Sequence, residues 1–139
     1  MKTLAAILIL MLTVSCNSSK DVAKANSDSN LVSPLTGSYT LVDMNGKTMV
    51  GNSMELIFNS NDNSIAGSSG CNKLFGSYTQ DGDQLKFEGF GTTKMYCDGK
   101  MDLEREFIQG LTAVNSLAMA DGMIILKNND SVLMTLKQL

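Results

Sequence analysis

Between Pro34 and Leu139 the chain is cut into short stretches that alternate apolar and polar residues, with Gly, Asn and Asp returning roughly every ten residues. A period of two puts every second side chain on one face of an extended strand, so this pattern buries one face of a sheet. Tyr39 to Met44 reads as a first strand, stopped by Asn45-Gly46, a dipeptide that tolerates positive φ and favours a tight hairpin. Met54, Leu56 and Phe58 mark a second strand, and Ser64 to Ser68 a third that runs into Gly70-Cys71-Asn72. Phe75 to Thr79, the turn Asp81-Gly82, and Leu85 to Glu88 read as a hairpin, and Thr92 to Tyr96 as a further extended piece. The period then changes. Leu103, Phe107, Leu111 and Val114 recur at helical spacing, and Asp98 or Asp102 is placed to cap the helix. Gly110 weakens its last turns by about 1 kcal/mol relative to alanine. Strands resume at Ser116 to Ala120, Met123 to Lys127 and Val132 to Lys137. The expectation is a mainly β, antiparallel barrel of about eight strands with one α-helix. Leu41, Leu56, Phe58, Phe75, Leu85, Phe87, Ile125 and Leu133 are its inward candidates, and Leu103, Phe107 and Leu111 close one end.

The first 33 residues carry a different signal. Lys2, the apolar run Leu4 to Val14, Ser15 and Cys16 have the layout of a lipoprotein signal peptide over 1–15, although Thr13 stands where such signals usually carry an aliphatic residue and Leu12 is one place further from Cys16. The apolar run is too short to cross a hydrocarbon core of about 30 Å as a helix. Cys16 is the expected lipidation site. The alternative is an ordinary cut near Ser15 that leaves a free thiol. Each buried CH₂ of an acyl chain contributes about 0.8 kcal/mol, so a multiply acylated cysteine holds a protein at a membrane. The polar text from Asn17 to Ser33 reads as a tether, 16–33 including the anchor, reaching roughly 20 to 25 Å as a coil.

Residues 34–139 suffice for one domain and not for two. The whole chain carries 11 basic and 14 acidic residues, formal charge -3, and no basic cluster that would answer a phosphate backbone. Nucleic acid is therefore excluded as an expected partner. Histidine is absent, which removes the commonest general base and metal ligand together.

The run Gly67-Ser68-Ser69-Gly70-Cys71-Asn72-Lys73-Leu74-Phe75-Gly76-Ser77-Tyr78, followed by Asp81-Gly82-Asp83 and Leu85-Lys86-Phe87, resembles the META domain, also called the HslJ-like or heat-shock-lipoprotein family. Thr93-Lys94-Met95-Tyr96-Cys97, then Met101, Glu104 and Phe107 to Leu111, continue the match in order, as does the opening Leu35 to Val42. Tyr39 stands where the family usually has tryptophan, Lys73 and Lys94 where it has arginine, and Asp98 where proline often follows the second cysteine. The resemblance implies a small lipocalin-like barrel on secreted or lipid-anchored envelope proteins, some linked to heat or envelope stress. It implies no established chemistry.

With Cys16 committed to the anchor, Cys71 and Cys97 remain, and an exported protein meets an oxidising compartment. A disulfide is the leading expectation, two free buried thiols the next, and a metal pair the least favoured. Gly70, Asn72, Lys73 and Lys94 form a candidate binding loop, but a plain turn with close backbone packing, which asks for small or positive-φ residues, is the favoured reading. Asp62, Asp81 and Asp83 lack the spacing of a calcium loop, and Met95, Met119, Met123 and Met134 fit strand cores better than a metal site. Asp102, Glu104 and Glu106 beside Lys100 and Arg105 read as a solvated helix face. The sequence therefore predicts a non-enzymatic, monomeric outer-membrane lipoprotein of the bacterial envelope, an interaction or structural module with no catalytic residue, metal or cofactor. It contacts the membrane through its lipid and an envelope protein as partner. A barrel for a hydrophobic ligand and a protease-inhibitor-like module are the alternatives.

Overall fold

The computed structural model describes residues 32–49, 51 and 53–139, so the expected signal peptide, its lipidation site Cys16 and nearly all of the expected tether lie outside the described residues. The strands are β1 (Gly37–Met44), β2 (Lys47–Thr48), β3 (Met54–Asn59), β4 (Ser64–Ser69), β5 (Lys73–Asp81) and β6 (Gln84–Thr92). Helix α1 (Met101–Ala113) follows, then β7 (Ser116–Ala120), β8 (Met123–Asn128) and β9 (Ser131–Gln138). All pairings are antiparallel, in the order β2-β1-β3-β4-β5-β6-β7-β8-β9, and β9 pairs back onto β1 so that the sheet closes in a ring. The fold is the barrel-like β architecture with one helix that the alternation predicts.

Closure is uneven around the ring. Every joint but one pairs several residues, whereas β6 meets β7 only at Gln84 and Ser116. Two further backbone bonds reinforce that seam, from Leu85 N to Asn115 O at 3.2 Å and from Leu117 N to Asp83 O at 2.8 Å. The helix, inserted in the chain between β6 and β7, turns Phe107 and Leu111 into the core, and Val114, just beyond its end, is buried as well.

Strand parity selects the core. In β3, Met54, Leu56 and Phe58 face in, and Glu55, Ile57 and Asn59 face out. In β1 a bulge between Leu41 and Asp43 shifts the phase, which is why Leu41 and Met44, three apart, are both buried. Phe58 sits at the centre, edge-on to Tyr39 and Tyr78 at centroid distances of 5.7 and 5.3 Å. Both phenols keep their hydroxyl bonded: Tyr78 to Leu35 O at 2.8 Å, Tyr39 to Thr36 O at 3.1 Å.

Parity also corrects three inward candidates. Leu74 and Phe75 are adjacent, so only one can face the core. It is Leu74, and Phe75 is 56% exposed with its ring lying over Gly91. Ile124 and Leu126 take the interior instead of Ile125, and Met134 and Leu136 instead of Leu133, which is only partly buried. Of the methionines assigned to strand cores, Met134 is fully buried, but Met95 and Met119 are exposed. Thr93 to Cys97 form no strand, because β6 ends at Thr92.

Helix α1 has Lys100 at its N-cap with no side-chain capping bond, so neither Asp98 nor Asp102 fills that role. Asp102 instead pairs with Arg105 at 3.0 Å on the outer surface. Gly110 faces Met134: a Cβ there would meet Cε of that side chain, the far end of a flexible chain that can shift.

Candidate functional site

The turn that joins β4 to β5 is built by a short-range exchange of hydrogen bonds. Ser69 N and Ser69 Oγ both donate to Asn72 O, at 2.9 and 3.0 Å, while Asn72 N donates to Ser69 Oγ at 3.3 Å. Gly70, at φ 90°, supplies the positive dihedral that this tight reversal needs. The consequence is that the side chain of Asn72 turns inward, where it is 2% exposed.

There it fastens three segments together. Its Oδ1 accepts from Met95 N at 2.7 Å and from Thr93 Oγ1 at 2.8 Å. Its Nδ2 donates to Met95 O at 3.1 Å and to both carboxylate oxygens of Glu104, at 2.9 and 3.0 Å. One amide therefore holds the loop after β6 and the first turn of α1 to the β4–β5 turn. Lys73 N donates to Thr93 Oγ1 and Thr93 N to Lys73 O, both at 3.1 Å. Cys71 and Cys97 complete the lock as a disulfide, Cα atoms 5.9 Å apart, as expected from the compartment argument.

Above this fastening the loop is exposed. Met95 is 55% and Tyr96 80% exposed, and the side chains of Lys73, Lys94 and Lys100 are exposed without an ion pair among the described residues. Gly70, Asn72, Lys73 and Lys94 are thus brought to one end of the barrel. Asn72, however, spends its polar atoms on the protein itself, and the groups open to solvent are the lysines, Met95 and Tyr96. Sequence reasoning placed Met95 in a strand core and overlooked Tyr96, because both were read as part of an extended piece.

Glu104 corrects the picture of a solvated acidic helix face, for it is only 6% exposed. A signal for this was present: Glu104, Phe107 and Leu111 fall at i, i+3 and i+7, the inward stripe of the helix. Glu106 does lie outward, accepting from Asn45 Nδ2 at 2.9 Å and facing Lys47 at 3.7 Å. Among the described residues no three of His, Cys, Asp and Glu gather into a metal-binding group. Asp62 serves its own turn: hydrogen bonds from Ser64, including Ser64 N at 3.0 Å, hold its carboxyl below the usual carboxylate range.

Residues 31–139 match the META domain. The chain belongs to the META family. No curated protein matches this META protein. The solved structures that resemble it include two determined by NMR. One, an NMR structure of a protein from Burkholderia xenovorans, is 23% identical, covers 74% of this chain and 81% of its own, and superposes with a TM-score of 0.59. A second NMR structure is 21% identical over 75% of this chain and 90% of its own, also at a TM-score of 0.59. At such identities these likenesses show the fold of the META chain and nothing about its partners.

Proposed function

We propose that this META protein is a lipid-anchored, non-enzymatic component of the bacterial envelope, facing the periplasm or the cell surface, that docks a protein partner through the locked loop Thr93 to Lys100. A role under envelope or heat stress fits the same reading. The observation that carries it is the contrast between a backbone fastened by Asn72 and the disulfide and the exposed Met95 and Tyr96 that it presents. A fixed backbone lowers the ordering cost of association, and amphipathic side chains such as tyrosine and methionine are enriched where proteins meet. The helix carboxylates support the non-enzymatic part: Glu104 is consumed by Asn72, Asp102 by Arg105 and Glu106 by Asn45 and Lys47.

Orientation supports the anchored part. Leu35, where the N-terminal approach packs, bonds Gln80 Oε1 and Tyr78 Oη near the C-terminal end of β5, whereas Lys73 and the loop lie at its N-terminal end. From Lys73 to Gln80 is seven steps, about 23 Å along a strand, so the loop and Leu35 lie towards opposite ends of β5.

Two experiments test this reading. A photo-crosslinking residue at position 96 in intact cells should give discrete heavier adducts that the same residue at exposed Asp130 does not. Equal adducts at both sites, or none at 96, refute docking through the loop. For the anchor, Cys16→Ser should shift the protein out of the membrane fraction. An intact wild-type mass beginning at Asn17 or beyond, without acyl mass, refutes the anchor. A rigid exposed loop is also what a protease-inhibitor-like module requires, and a stoichiometric complex with an envelope protease is the result that would select that reading.

A further inference from the structure

We propose that the groove beside the β6–β7 seam is a binding site for a small cationic amphiphile, an organic ammonium with an apolar body. The groove follows from the uneven closure of the ring: where β6 leaves β7 after Gln84, the C-terminal end of α1 arrives without filling the space. Its volume is about 530 Å³, within the range of small-molecule sites. Leu85, Ala113 and Val114 supply an apolar wall.

The electrostatics choose the sign of the ligand. The C-terminal end of a helix carries roughly half a negative charge, and cations are favoured beside it. Helix α1 has no basic residue in its last turn, so the protein leaves that position unfilled. Asp81 adds a carboxylate to the lining. The one basic residue in the lining, Lys86, is already engaged by Glu88 at 2.7 Å. Val114 N donates to Leu111 O at 3.2 Å and Asn128 Nδ2 to Ala113 O at 2.8 Å, which satisfy two terminal carbonyls but bring no charge. An apolar wall beside the helix C-terminus and the Asp81 carboxylate suits an ammonium better than an anion of the same shape. The site lies near the end of β5 opposite the locked loop and outside the packed interior, so it is independent of the docking proposed above.

The test is a titration of the isotope-labelled chain from Asn17 to Leu139, which holds every described element, followed by backbone-amide NMR. Octylammonium, octanol and octanoate are compared. Octylammonium should shift the amides of Gln84 to Lys86 and Thr112 to Asn115 saturably, with octanol weaker by about fivefold, the size of a helix-end charge interaction, and octanoate without effect. Thr112→Lys, on the exposed face of the last turn, places the protein's own cation at the helix end and should abolish the preference for octylammonium. Asp81→Asn should weaken octylammonium several-fold with an unchanged spectrum elsewhere. Equal binding of octanol, indifference to both substitutions, or no saturable shift at these amides would each overturn the proposal.

Discussion

Replacing Asn72 by alanine should be among the most damaging single changes in the domain, although the residue lies in a turn. The substitution removes the donor to both oxygens of Glu104 and the acceptor for Met95 N and Thr93 Oγ1. Hydrogen bonds to a charged group contribute about 1.5–3 kcal/mol, and a buried group left without a partner costs about 1–3 kcal/mol. The carboxylate of Glu104, nearly inaccessible to water, dominates, and the partly buried Met95 amide adds a smaller amount. The sum is about 3–5 kcal/mol, which for a domain of this size lowers the melting temperature by at least roughly 12 °C. The disulfide stays intact, so the loss measures the amide and not the covalent bond. Urea denaturation of wild type, Asn72→Ala, Glu104→Ala and the double variant closes a cycle. Because each residue is the other's partner, removing both should cost about 1–3 kcal/mol less than the sum of the singles. A single-variant loss under 1 kcal/mol, or a cycle that closes to zero, refutes the view that Asn72 fastens the loop to the helix.

Removal of the Cys71–Cys97 bond by paired serine substitution should cost roughly 3.5 kcal/mol on the chain-entropy model, and a non-reduced digest of exported protein should yield the linked peptide pair. Free alkylatable thiols at both positions would contradict it. Gly110→Ala brings a Cβ against only the Cε end of Met134, a flexible side chain that can swing aside at small cost, so much of the gain of about 1 kcal/mol expected from helix propensity should survive, and a measured loss of more than about 1 kcal/mol would refute this account. Burial raises the phenols of Tyr39 and Tyr78 above their ordinary 10.0, and Asp62 adds to the effect at Tyr78. The unfolded chain therefore ionises first. The stability these groups contribute is intact below about pH 10 and is lost as pH rises through their folded values, so the double phenylalanine variant should show a smaller alkaline loss in denaturation curves. A wild type and variant that fall in parallel would contradict this. Native mass spectrometry of the chain from Asn17 onward should show the bare polypeptide, since Phe58, Leu56 and their neighbours fill the interior. A hydrophobic molecule released only on unfolding would refute a packed core.

The positions of the strands were legible because alternation and turn chemistry agree: Asn45-Gly46 and Asp121-Gly122 stand at the turns, each residue at positive φ. What alternation cannot decide is parity where apolar residues are adjacent. Leu74 and Phe75, or Ile124, Ile125 and Leu126, allow either phase, and the choice is made by cross-strand partners distant in sequence. The bulge in β1 is similarly invisible, for it depends on β9. The candidate site was half legible. Its residues were found, but the inward turn of Asn72 depends on Glu104, 32 residues away. A short polar side chain beside glycines reads equally well as a turn former.

The seam between β6 and β7 divides the molecule unequally. Each other joint of the ring is a ladder, and this one is closer to a clasp of one residue pair and its neighbours. Backbone amides there share few cooperative partners, so Leu85 and Leu117 should exchange with solvent through a local opening that leaves the β3–β4–β5 ladder protected. On that expectation the ring should part and reclose at this one edge while the aromatic centre around Phe58 stays assembled.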